Sequence, residues 1–355
     1  MADTAVPRPA YVLARGAYDA PKDRPVGRDT PAAFLPFPKD APRDRLGLAR
    51  WLTDPDHPLT ARVAVNRYWQ LFFGRGLVAT TENFGQQGAL PTHPELLDWL
   101  ARHFVNSGWD VKALCRMLVL SSTYRQESAA SASLRDRDPD NLLLARGPRL
   151  RLAAEMLRDT ALSASGLLVE EVGGPPVKPP MPAGLWRGQN AFLPEYVADR
   201  GPKAYRRSLY TFWRRTSPPP NMLAFDAPSR EVCVVRRQAT STPLQPLVLL
   251  NDPQFVEAAV ALGGRMIREG GASVDDRVTL AFRLAATRRP TDHERSVLAG
   301  LYQRQKAEFE RAPERARAFL ASGGRNDPGP EPADLAAAAV TASVILNLDA
   351  SVTAR

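Results

Sequence analysis

Five positions carry a short polar residue just before a segment that reads as helix, and these constrain the fold more than any other feature. Thr92-His93-Pro94-Glu95 and Thr291-Asp292-His293-Glu294 have the spacing of a capping box, in which the threonine oxygen accepts a first-turn amide and the glutamate reaches back. Asp54-Pro55, Asp138-Pro139 and Asp252-Pro253 set an acceptor before a proline that has no amide to satisfy. Between them, Ala61, Val65, Tyr68, Trp69 and Phe72 recur along one helical face of Ala61–Phe73, which puts Trp69 and Phe72 on the buried side. Gly74 supplies the left-handed stop. The expectation is a mainly α, multi-helix globular domain with a small β element and long Pro/Gly-rich loops.

With 355 residues the chain is long enough to bury a sizeable core. Proline, small residues and charge at the start predict an extended N-terminal arm over 1–44, followed by a helical subdomain over 45–172. Residues 173–204 are crowded with Pro and Gly and read as a loop or linker. A second, mostly helical part follows over 205–355, either separate or continuous with 45–172. Within it, Ser208–Arg214 and Val232–Arg236 are rich in aromatic and β-branched residues and are expected to pair as the small sheet. The most apolar stretch, Leu335–Leu348, is too short and too alanine-rich to span a membrane. DPDHPLTAR at Asp54–Arg62 and DPDNLLLAR at Asp138–Arg146 agree at six of nine positions, through shared helix-start chemistry or as two related helical layers.

Several long runs carry a family likeness: RLGLARWLTDPDHPLTARVAVNRYWQLFFGRGLVATTENFGQQGALPTHPELLDWL at Arg45–Leu100, SSTYRQES at Ser121–Ser128, YRRSLYTFWRRT at Tyr205–Thr216, and RRQATSTPLQPLVLLNDPQFVEAA at Arg236–Ala259. The chain resembles the C-terminal domain of large secreted planctomycete proteins that carry a cytochrome-c-like segment near their start. The resemblance implies a domain without an assigned reaction, placed outside the cytoplasm or in the cell envelope beside redox or polymer-processing partners. It also implies a fragment or split-off member of a longer exported protein, since MADTAVPRPAYVLARG lacks the pattern of a secretory signal. Cys115 and Cys233 stand alone without C-x-x-C-H, so this chain has no site for covalent haem. Their apolar surroundings predict buried thiols.

Candidates for chemistry are few. Gly74-Arg-Gly76-Leu-Val-Ala79 fits a dinucleotide glycine pattern but follows a helix where the motif requires a strand. None of His57, His93, His103 and His293 has a ligand neighbour at metal-binding spacing, so neither metal nor other cofactor is expected. Glu155 and Asp159 share a helical face, with Arg151 and Arg158 placed to form a surface ion-pair ladder. A hydrolase-like enzyme would need such carboxylates to converge in space.

Polar residues in costly places are more telling. Arg62, Asn66 and Gln70 form a stripe read as lying opposite the Trp69 face, and the loop 79–91 adds amides including Gln86. These groups either satisfy loop backbone or bind a ligand. The net charge is +9, and Asn141–Thr240 holds fifteen basic against eight acidic residues. Arg206, Arg207, Arg214, Arg215, Arg236 and Arg237 stand among aromatics there and are expected to make an anion-facing surface. The resulting expectation is an accessory or binding module for an anionic polysaccharide or an envelope redox partner. A nucleic-acid role would rest on charge alone.

Overall fold

The computed structural model describes residues 8–20, 22–182, 184, 195–324 and 330–354, so part of the predicted 173–204 loop lies outside the described residues. The chain is mainly α, and it divides into two compact units, Met1–Pro148 and Arg149–Arg355. The described residues of 173–204 fall inside the second unit.

The first unit carries α1 (Arg45–Leu52), α2 (Thr60–Phe73), α3 (Pro94–Asn106), α4 (Val111–Leu120) and α5 (Ala132–Arg137). Its core forms where apolar positions at helical spacing meet: Val65 and Trp69 of α2, Leu97, Leu100 and Phe104 of α3, Leu114 and Leu118 of α4. Trp69 is buried as the periodicity predicts, and its ring stacks on Phe73 at a centroid distance of 4.0 Å. Phe72 is half-buried, edge-on to Tyr124. Gly74 ends α2 at φ +79°, with its amide donating to Gln70 O. Ahead of α1 a short antiparallel pair, β1 (Ala10–Tyr11) and β2 (Pro25–Val26), interrupts the arm. The end of the arm docks on α1, where Trp51 Nε1 donates to Leu35 O.

The second unit holds α6 (Ala154–Ser165), α7 (Pro220–Ala224), α8 (Leu244–Asn251), α9 (Pro253–Glu269), α10 (Val274–Ala286), α11 (Asp292–Arg311), α12 (Pro313–Ser322), α13 (Pro332–Asn347) and α14 (Asp349–Val352). The apolar stretch predicted to be no membrane span is α13, a helix apolar on nearly every side and therefore central to its unit. No helix among the described residues is long and apolar enough to cross a membrane. α13 packs closely on α9, where a Cβ on Gly263 would stand 2.7 Å from Ala339 N. Strands β3 (Leu150–Arg151) and β4 (Thr353–Ala354) pair antiparallel and tie the last residues to the start of this unit.

Several local expectations are corrected. Of the five cap signals, Thr291/Glu294 forms the full reciprocal box and Asp252 caps α9 through Gln254 N. Thr92 instead turns its hydroxyl toward Leu77 O. Asp54 and Asp138 begin no helix: Asp54 accepts the Asp56 amide in a tight turn, whereas Asp138 accepts the amides of Leu142 and Leu143. The expected sheet of Ser208–Arg214 with Val232–Arg236 is absent. Ser208–Tyr210 is a 3-10 turn and residues 229–239 form an exposed loop, while Val177 and Thr211 make an isolated bridge. The thiols are not buried: Cys115 is half-exposed and Cys233 exposed.

Candidate functional sites

Of the Arg62, Asn66 and Gln70 stripe, the last two serve the first unit's own loop. Asn66 is wholly buried rather than opposite the core, and its amide is spent on a single residue: Nδ2 donates to Val78 O at 3.0 Å and Oδ1 accepts Val78 N at 2.9 Å. Gln70 Oε1 accepts the Thr81 hydroxyl at 2.8 Å. Further along the same loop Thr80 Oγ1 accepts Ala89 N and donates to Asn83 O, while Gln86 remains exposed.

Arg62 faces a different feature, a cleft of about 220 Å³ between the 55–58 turn and the α2 and α3 helices. Its Nε donates to Asp98 at 2.6 Å and its Nη1 to Pro58 O at 2.5 Å. Across the same cleft Arg102 donates to Pro55 O at 3.0 Å and lies 3.5 Å from Asp56. The Arg62–Asp98 hydrogen bond holds the Asp98 carboxyl below its ordinary range. The wall is fixed by His57, whose Nδ1 accepts the amides of Leu59 and Thr60. Amides only donate, so the ring proton sits on Nε2, and the ring packs edge-on to Trp51 at 4.6 Å.

The six arginines of the second unit separate. Arg206 is a correction to the anion-facing set: it is buried, donates to the carbonyls of Glu171, Gly173 and Pro175, and covers the Tyr210 ring at 4.0 Å. Arg237 forks onto Glu155, so the Arg151/Arg158 ladder expected for that carboxylate does not form. Arg207 is exposed, 3.8 Å from Asp159, and Arg214 is half-buried. Arg215 and Arg236 are exposed.

Those contacts shape the 229–239 loop. At its far end Asp226 accepts both the Thr240 amide and hydroxyl, at 2.7 and 2.8 Å. At its near end Trp213 Nε1 donates to Ser229 O, and Arg230 lies 4.5 Å over the Trp213 ring. Between these anchors Val232, Val234 and Val235 are exposed, as are Leu244 and Leu247 just beyond in α8. Sequence reasoning found the arginines but missed the valines, which it assigned to a sheet.

Arg158 is the hub of a buried network that helical spacing alone could not reveal. It donates from Nε to Gln254 Oε1, from Nη1 to Arg206 O and Ser208 Oγ, and from Nη2 to Ala204 O. Burial pushes its guanidinium down to about 10, against the charges of Asp159 and Asp252. Burial also raises the Asp252 carboxyl to about 6, opposed by the Gln254 amide and by Arg158. The neighbouring cavity, lined by Gln254, Thr211 and Tyr196, measures only about 10 Å³. That is about one water, ~10–15 Å³. Among the described residues no group of three or more His, Cys, Asp or Glu is placed to hold a metal ion.

The family described as PSD1, protein of unknown function (DUF1553), matches residues 44–302. Neither the curated proteins nor the solved structures compared with the chain give a match.

Proposed function

Because this chain belongs to the PSD1 (DUF1553) family of proteins of unknown function, we propose from its geometry that it is an accessory binding module of the bacterial cell envelope that docks an acidic protein partner. The observation that carries this reading is the 229–239 loop, anchored at both ends and holding Val232, Val234 and Val235 in solvent beside Arg230 and Arg236. Apolar side chains at a centre with arginine at the rim make up the composition of protein interfaces. An anionic polysaccharide would engage the arginines but offers little apolar surface to the valines. The hydrolase reading finds less support, because Glu155, Asp159 and Asp226 are engaged separately by Arg237, the Ser208 amide and Thr240. The envelope placement, and the company of planctomycete redox proteins, rest on the likeness of runs such as Arg45–Leu100.

A photo-crosslinker at Val234 tests the reading in the native host. The expected result is a discrete acidic protein in the envelope fraction, lost with Arg236→Glu and with Val235→Asp. Retention on a carboxylated or sulfated polysaccharide that ignores Val235→Asp would shift the reading to a polymer. DNA retention of the same kind would shift it to nucleic acid. Recovery of the protein in the cytoplasm would overturn the envelope placement.

A further inference from the structure

The cleft beside His57 is built from opposed pairs: Arg62 with Asp98 at 2.6 Å, and Arg102 with Asp56 at 3.5 Å. Two positive and two negative groups cancel, so the cleft has no preference for a net charge. Each pair nonetheless presents guanidinium donors and carboxylate acceptors together, and at about 220 Å³ the space far exceeds the ~10–15 Å³ of one water. The turn forming one wall is fixed by the two amides on His57 Nδ1 and by the Pro55 and Pro58 carbonyls, which hold Arg102 and Arg62.

On the adjoining face of α3, beside Asp98 and one turn before Arg102, Trp99 is 56% exposed. Its ring is held flat against His103, with centroids 5.2 Å apart and planes at 11°. Nothing in the first unit's core accounts for it, since that core uses Leu97, Leu100 and Phe104 from the same helix. A large, oriented aromatic face left in solvent is the kind of exposure that marks a binding surface.

We propose that this cleft and Trp99 together bind an uncharged saccharide. A pyranose has hydroxyls on its rim that both donate and accept, and a C–H face that packs as apolar surface. The first property matches the Arg62/Asp98 and Arg102/Asp56 pairs, the second matches Trp99 as a platform for an adjacent ring. A zwitterion would have to break both ion pairs, and an anion would meet two carboxylates. The site lies in the first unit and stands independently of the 229–239 loop.

The test uses the whole protein with hexasaccharides of glucose, mannose and N-acetylglucosamine at millimolar concentration, read by saturation-transfer NMR and titration calorimetry. At least one is expected to bind and to change the tryptophan fluorescence. Trp99→Ala and Asp98→Asn are each expected to weaken binding about tenfold or more, about 1.4 kcal/mol, with the melting temperature nearly unchanged because both side chains are exposed. Arg236→Glu in the other unit is expected to leave saccharide binding intact, so the two proposals fail separately. Absence of binding by all three, or binding unaltered by both cleft variants, would overturn the proposal.

Discussion

Arg237 forks onto Glu155 across 82 positions of sequence, Nη1 to Oε2 at 2.6 Å and Nη2 to Oε1 at 3.1 Å, and so fastens the 229–239 loop to α6. The fork explains why an otherwise unstructured stretch of valines can keep one position. It also makes the loop's attachment titratable. Burial pushes the Glu155 carboxyl up, but the Arg237 hydrogen bonds, its own amide and the Arg237 and Arg230 charges outweigh burial and hold it below 4.5.

A depressed carboxylate contributes stability that is present above its unfolded value and lost as pH falls through the folded one. Hydrogen exchange over 229–239 is therefore expected to quicken as pH drops below 4.5, after correction for intrinsic rates. Arg237→Ala should quicken it already at neutral pH, at a cost of about 1 kcal/mol or less, because the pair is partly solvated. Unchanged protection in the variant would show that the fork does not hold the loop.

Asn66→Ala removes both partners of Val78 and leaves a buried amide and carbonyl without hydrogen bonds. At about 1–3 kcal/mol for each of the two orphaned groups, a loss of about 2–6 kcal/mol is expected in chemical denaturation. Gly76→Ala should act on the same spot, since its Cβ would stand 2.6 Å from Asn66 Nδ2. A loss under about 1 kcal/mol for Asn66→Ala would mean that water replaces both bonds.

This position also shows what the sequence could and could not disclose. The period of Ala61, Val65 and Trp69 revealed α2 and its stop at Gly74, because helix geometry acts between near neighbours. The partner of Asn66 lies in a loop beyond the helix, and nothing in the spacing of Arg62, Asn66 and Gln70 says that the middle residue turns inward. Asp54 misled for a related reason: the Asx turn it makes to Asp56 N and a helix cap begin with the same kind of hydrogen bond and differ only in whether the chain continues, while Asp138 reaches further, to the amides of Leu142 and Leu143. Arg206 and Arg215 looked alike in a run of basic and aromatic residues. Only the chain's return past Glu171 and Pro175 buries the first and leaves the second in solvent.

Asp252 supplies a pH dependence of the opposite sign. Its folded value, about 6, stands above the ordinary 3.8, so the ionised form is penalised in the fold. Stability from this group falls as pH rises from 3.8 to about 6, by as much as about 3 kcal/mol at full linkage. Asn is as good an N-cap as Asp, so Asp252→Asn keeps the start of α9 while removing the charge. The melting temperature of the variant relative to the natural protein should therefore be higher at pH 7 than at pH 4. An equal difference at both would show that the carboxyl does not titrate in this range.

A loss of comparable size is expected in the second unit at Arg158. Its guanidinium is the common donor to Gln254, Ser208 and the carbonyls of Ala204 and Arg206, and it faces the charges of Asp159 and Asp252. Arg158→Met leaves those acceptors buried without donors and the carboxylates uncompensated, at a cost of about 3–5 kcal/mol. Lysine keeps the charge but not the planar fork, and one ammonium cannot meet four acceptors spread around a guanidinium. Arg158→Lys should therefore recover only a minor part of the loss, with exchange quickened at residues 204–208 while the amides of α2 and α3 in the first unit keep their protection. Full recovery by lysine would show that charge alone holds this junction and that the fork geometry is incidental.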